Sequence, residues 1–224
     1  MPSVVAGHSL GEFSALVAAG VLAFSDAVRI VRLRGQAMQG AVPVGEGAMA
    51  AVLGLDDEAI NTICAEASVN GDTQVLAVNF NSPGQVVIAG HAAAVQSASV
   101  ALKAAGAKRI LPLPVSAPFH CSLMSKATSI MNEELNKLNF NQVDQKLISN
   151  VTAKEISSTN ELKDLLVKQM ENRVRWRESV INMINSDVNH FIEIGPGKVL
   201  SGLVKRISKE VKIDTINNQG DIES

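Results

Sequence analysis

Near its start the chain runs Val4-Val5-Ala6-Gly7-His8-Ser9-Leu10-Gly11-Glu12-Phe13, an apolar stretch that bends through two glycines into a segment of helical character. Val4 to Ala6 reads as a buried parallel strand. Leu10 to Ala19, apolar almost all round and closed by Gly20, reads as an internal helix. A strand that passes through so tight a bend into a helix commits the chain to an α/β arrangement, and the sequence downstream has to supply the rest of the sheet.

Ser25 or Asp26 is expected to cap a second helix reaching about Gln39. Arg29, Arg32 and Gln36 share one side of it, and Ala27, Val31, Arg34 and Met38 share the other. A glycine-containing hinge, Pro43 to Gly47, then opens a different rhythm. Strand Met49 to Leu53, helix Asp56 to Ala67, strands Val75 to Phe80 and Gln85 to Ala89, helix Val95 to Ala105 and strand Arg109 to Leu113 follow in turn. The order βαββαβ is that of a ferredoxin-like unit. After the stiff Pro112-Leu113-Pro114 and Ala117-Pro118 stretch, helix Cys121 to Leu138, strand Lys146 to Asn150, helices Asn160 to Met170 and Arg177 to Ser186, strand Phe191 to Ile194 and helix Lys198 to Lys209 restore the alternation of a parallel sheet flanked by helices. The expected fold is therefore α/β: a hydrolase-like parallel-sheet core from residues 1–42 and 116–224, with a ferredoxin-like small subdomain, 43–115, inserted in it.

Composition narrows the functions this fold could serve. With 46% hydrophobic and 19% charged residues in 224, the chain can bury a large core. A formal net charge of -2 gives no global basic field, so nucleic acid is not an expected partner. The longest apolar stretch, Phe13 to Phe24, is too short to span a bilayer and lacks the basic flank of a leader, so no membrane association is expected. Cys64 and Cys121 form no metal-ligand pattern and point to a reduced, cytoplasmic setting. Trp176 is the one tryptophan and there is no tyrosine, so bases and sugars have no stacking platform.

The chemistry concentrates at the bend. Gly7-x-Ser9-x-Gly11 between strand and helix is the nucleophile-elbow pattern, and the helix behind it offers N–H groups and a positive dipole end to a developing oxyanion. The same residues also suit a glycine turn with a capping serine. A nucleophilic hydroxyl needs a base. His91 and His190 flank strands and read as surface or capping residues, while His8, adjacent to Ser9, is poorly placed to take its proton but able to line a pocket. His120, on a proline-stiffened loop that opens a helix, is the best candidate, although a loop histidine can equally be merely exposed. Arg34 sits on the apolar stripe of its helix and cannot shed its charge, so it requires an anion: a structural carboxylate, or one brought by a ligand.

Gly7-His8-Ser9-Leu10-Gly11-Glu12, Arg34-Gly35, Asn79-Phe80-Asn81-Ser82-Pro83-Gly84-Gln85, Pro118-Phe119-His120 and Glu193-Ile194-Gly195-Pro196-Gly197-Lys198 follow one another at characteristic distances. In order and spacing they resemble the malonyl-CoA:acyl carrier protein transacylases of bacterial fatty-acid synthesis, over essentially the whole chain. The resemblance implies an acyltransferase core in which Ser9 accepts a malonyl group from coenzyme A and passes it to the phosphopantetheine thiol of acyl carrier protein. It implies His120 as general base and then acid, oriented by the Gln169 backbone carbonyl, with the Leu10 N–H as an oxyanion donor and Arg34 holding the malonyl carboxylate. His8 would line the substrate pocket, and Phe119 resembles the bulky residue associated with malonyl over branched groups. Malonyl-CoA and acyl carrier protein are the implied partners, with no metal and no cofactor beyond these substrates.

Family members also carry a strand and a Gly-Gln-Gly loop ahead of the elbow strand, the loop supplying a second oxyanion donor. No Gly-Gln-Gly occurs in these 224 residues. The expectation is that this donor comes from a longer reading frame or another chain, and that without it the rate falls by roughly 100- to 1,000-fold. Two further readings compete with transfer: a serine thioesterase or esterase, which would have no need of Arg34, and a non-catalytic remnant that binds carrier protein without turnover. On the last predicted helix Lys198, Lys205, Lys209 and Lys212 fall on one face, opposite Leu200, Leu203, Val204, Ile207 and Val211. That face is either a solvated surface or part of a docking patch for an acidic carrier.

Overall fold

In the computed structural model, residues 2–68, 73–115 and 117–222 are described. The chain opens with β1 (Val4–Val5), which turns through the Gly7–Gly11 bend into α1 (Leu10–Ala18) and then α2 (Phe24–Gly40). Gly7 is required by the tightness of that turn, because a Cβ there would lie 1.9 Å from the Gly11 carbonyl oxygen. At Gly11 a Cβ would meet nothing within 4 Å. The crowding that demands glycine is therefore on the strand side of the serine. The cap of α2 is Ala23, with no side-chain cap bond, in place of the expected Ser25 or Asp26.

The next elements are β2 (Gly47–Leu53), α3 (Asp57–Ala67), β3 (Val75–Ser82), β4 (Gln85–His91), α4 (Ala92–Ala104) and β5 (Arg109–Pro112). The strands form one antiparallel sheet in the order β3-β4-β2-β5, the arrangement of a ferredoxin-like unit. Alternation along β2 divides its two faces. Ala50 and Val52 pack with Ile60 and Cys64 of α3 and with Val95 and Leu102 of α4, whereas Met49 and Ala51 pack with Cys121 and half-buried Phe119 on the other side. The small sheet thus faces the loop that carries His120. The boundary drawn at residue 116 falls on a residue outside the described ones.

A 3-10 turn (Ser122–Met124) leads into α5 (Ser125–Asn136), where the sequence pattern reads as a single helix. There follow β6 (Lys146–Leu147), α6 (Thr159–Lys168), α7 (Trp176–Asn185), β7 (His190–Ile194), α8 (Val199–Ile207) and β8 (Lys212–Ile216). Parallel pairing joins β1 to β6 and β7 to β8. Phe13 and Leu16 of α1 pack with Ile30 of α2, Met131 and Leu135 of α5 and Leu162 and Leu166 of α6. Each such fully buried leucine contributes about 2 kcal/mol. A separate cluster of Trp176, Val180, Leu203 and Val204 holds α7 against α8.

The last predicted helix is shorter than expected. It stops at Ile207, so Lys209 and Lys212 do not share its face with Lys205, and Lys212 instead begins β8, pairing with His190 of β7. The expected single lysine stripe is broken by that strand. Among the described residues, no helix is long and apolar enough to cross a membrane.

Candidate active site

Ser9 holds φ 54 and ψ -104, a left-handed backbone that costs a residue with a Cβ roughly 1–3 kcal/mol and persists only where the surroundings enforce it. Two side chains do so. Asn150, just beyond β6, accepts the Ser9 N–H on Oδ1 at 2.6 Å and donates from Nδ2 to the Gly7 carbonyl at 2.6 Å, while Gln169 at the end of α6 donates from Nε2 to the Ser9 carbonyl at 3.1 Å. Ser9 makes no side-chain cap bond to α1. Its hydroxyl points into the site, which removes the reading of Ser9 as a capping residue.

His120 is 4% exposed, so it is not the solvent-facing loop histidine that the sequence also allowed. Its Nε2 lies 2.8 Å from Ser9 Oγ, and its Nδ1 lies 2.8 Å from the Gln169 carbonyl oxygen. A carbonyl only accepts, so Nδ1 carries the proton and Nε2 presents its lone pair to the serine O–H. Burial, then the nearby Arg34 charge, pushes the His120 pKa down to about 3. The imidazole is therefore neutral at neutral pH and free to accept a proton.

Arg34 lies on the buried face of α2, 5% exposed. Its Nη2 donates to Ser9 Oγ at 2.8 Å and to Gln169 Oε1 at 2.8 Å, and the Phe13 ring lies 5.8 Å away. Among the described residues no carboxylate comes within 4 Å of it, and its buried Nε has no partner. Burial lowers its pKa to about 10, which leaves it charged at neutral pH. The internal ion pair that the sequence also allowed does not form.

The other predicted residues surround this centre. His8 is half-buried, donates from Nε2 to Asn81 Oδ1 at 2.8 Å and packs its ring 5.7 Å from Trp176. Its ring is thus committed to Asn81 on β3. Leu10 is half exposed and opens α1, so its N–H has no acceptor within the helix. Phe119, next to His120, is half-buried between the main core and the inner face of the small sheet. His190 pairs with Asp214 at 2.7 Å, and His91 accepts the Gln74 N–H, both away from Ser9. No group of three potential metal ligands occurs among the described residues.

Two residues of the site escaped the sequence analysis. Glu12, 1% exposed, accepts from Gln169 Nε2 at 2.6 Å and from the Asn150 N–H at 3.3 Å; Asn150 is the second. A charged residue on an otherwise apolar internal helix was the available signal for Glu12. Nothing local marked Asn150. Burial raises the Glu12 pKa to about 7 against the lowering effects of Gln169, Asn150 and Arg34. Because the folded protein then binds this proton more tightly than the unfolded chain, the stability it contributes is lost as pH rises from about 4.5 to about 7. Urea unfolding at about pH 5 and about pH 8 should show wild type losing stability relative to Glu12→Gln across that window. A pH-independent difference would mean that Glu12 is not displaced.

A hydroxyl held between a neutral imidazole and a buried guanidinium suits attack on an acyl carbonyl, the chemistry of serine acyl-transfer enzymes. The chain belongs to the acyl transferase domain family, whose model matches residues 1–219. It is 52% identical over 217 residues to the malonyl CoA-acyl carrier protein transacylase of Escherichia coli strain K12, covering 96% of this chain and 69% of that protein. Among solved structures, an acyl carrier protein S-malonyltransferase from Vibrio cholerae superposes with a TM-score of 0.96 at 50% identity, covering all of this chain and 72% of its own. A malonyl-transacylase solved in complex with its type II PKS acyl-carrier protein gives 0.96 at 47% identity, covering 100% of this chain and 72% of that one. The fold is accordingly that of the α/β acyltransferases.

Proposed function

We propose that the protein transfers a malonyl group from coenzyme A to the phosphopantetheine thiol of acyl carrier protein, with Ser9 carrying the group as an ester between them. Ser9 is the nucleophile. His120 Nε2 takes the hydroxyl proton as Oγ attacks the thioester carbonyl, and returns it to the departing coenzyme A sulfur when the C–S bond breaks. The second half runs in reverse order: the carrier thiol gives its proton to the same nitrogen, its sulfur attacks the ester, and the proton passes back to Ser9 Oγ. The Gln169 carbonyl holds the tautomer this needs, and the Leu10 N–H faces the oxyanion. His8 and Phe119 line the acyl pocket. No cofactor takes part beyond the two substrates, and the setting is cytoplasmic. Residues 1–42 and 116–224 form the acyltransferase core, with 43–115 as the small subdomain covering it.

The observation that carries this reading is the buried Arg34. A permanent cation that touches the nucleophile and has no protein carboxylate suits a substrate that brings its own. An esterase would need no such group. Arg34→Ala should lower malonyl loading of Ser9 by about 100-fold, the worth of a charge-assisted pair of about 3 kcal/mol, while acetyl loading falls far less. Intact-mass spectrometry after brief mixing with malonyl-CoA or acetyl-CoA measures both, and equal losses would sink the carboxylate role.

A further inference from the structure

We propose that the Gln169 side chain, anchored by Glu12, is a positioning residue that aims Arg34 at the substrate carboxylate without neutralising it. This rests on the malonyl transfer proposed above, and it concerns the side chain alone, since the carbonyl facing His120 belongs to the backbone. Gln169 is fully buried. Its Nε2 donates to Glu12 Oε2 at 2.6 Å and to the Ser9 carbonyl at 3.1 Å, and its Oε1 accepts from Arg34 Nη2 at 2.8 Å. The Ser9 carbonyl can only accept and the Arg34 guanidinium can only donate, so these two partners fix which end of the amide is nitrogen in either protonation state of Glu12. The oxygen therefore faces the guanidinium; the flipped amide would aim N–H groups at a cation and oxygen at the Ser9 carbonyl oxygen.

The arrangement separates orientation from charge. Glu12 is a full anion when ionised, but it lies behind the amide and forms no ion pair within 4 Å of Arg34. The group that touches the guanidinium is a neutral oxygen. A carboxylate in that place would form the pair that a substrate anion must form, and the substrate would have to displace it. With an amide there, Nη2 is held against Ser9 Oγ, while the buried, partnerless Nε remains for an arriving anion. One residue thus fixes the base through its backbone and the cation through its side chain.

The test exchanges amide and acid. Gln169→Glu retains the backbone carbonyl and the side-chain shape but puts a carboxylate directly on Arg34 and beside Glu12; adding Glu12→Gln restores an amide–carboxylate hydrogen bond between the two positions with the roles exchanged. Malonyl and acetyl loading of Ser9 and thermal midpoints are measured for wild type, the single variant and the double. The single variant should lower the malonyl-to-acetyl ratio of kcat/KM by about 10-fold or more, chiefly through the malonyl KM, and should lower the midpoint. The double variant should recover most of the midpoint but not the ratio, because the charge still sits on Arg34. An unchanged ratio in Gln169→Glu, or a ratio that recovers together with stability in the double variant, would overturn the inference alone. Absence of a malonyl ester in the wild type would overturn the transfer reading, and the inference with it.

Discussion

Ser9→Ala is expected to yield a folded protein that takes up no malonyl group, with transfer reduced by roughly 10,000-fold or more. The fold survives because the lost hydroxyl caps no helix and its partners, His120 and Arg34, are held independently by Gln169. The positive φ at position 9 costs alanine and serine alike. The bonds from Asn150 and Gln169 go to the backbone of residue 9, which the substitution leaves intact. Intact mass before and after malonyl-CoA, together with circular dichroism, measures both halves of the expectation. A malonyl adduct that persists in a folded Ser9→Ala protein would place the nucleophile elsewhere.

His120→Ala is expected to slow both half-reactions together by about 1,000- to 10,000-fold, because in the proposed mechanism a single nitrogen takes the proton from Ser9 in one and from the carrier thiol in the other. The loss cannot be assigned to a distant collapse if stability falls only modestly. Removing the ring strands the buried Gln169 carbonyl, which costs about 1–3 kcal/mol. Since burial and Arg34 hold the imidazole pKa near 3, wild-type loading should also show no acid limb from His120 at the pH where an ordinary histidine protonates. Stopped-flow loading measured from about pH 5 to about pH 8 in wild type and variant examines both points. A slowed first half-reaction with an intact second one would contradict the shared base.

The strand, bend and helix around Ser9 were readable because all the constraints are local: an apolar triplet, a glycine crowded by the next turn, and a helix closed by Gly20. The small antiparallel sheet was readable for a similar reason, since β2 and β4, buried on both faces, are each written as a short continuous apolar run between turn residues. Arg34 announced itself as a charge on an apolar stripe. What holds the site together was much less visible. Glu12 meets Asn150 and Gln169 across 138 and 157 positions, and a polar residue whose partners are so distant looks like any other polar residue. The shortened α8 and the unrecognised β8 have a comparable origin. Val211 continues the apolar stripe of Leu200, Leu203, Val204 and Ile207 at helical spacing, and only pairing with β7 draws Lys212–Ile216 into a strand.

The most direct measurement follows the malonyl group itself. Protein loaded with malonyl-CoA and freed of nucleotide is mixed with carrier protein bearing phosphopantetheine, and both masses are recorded over time. Malonyl transfer through Ser9 predicts that one malonyl mass leaves the protein and appears on the carrier, without free malonate and only where Ser9 is present. Release of malonate to water with an unmodified carrier would contradict it and make the protein a hydrolase.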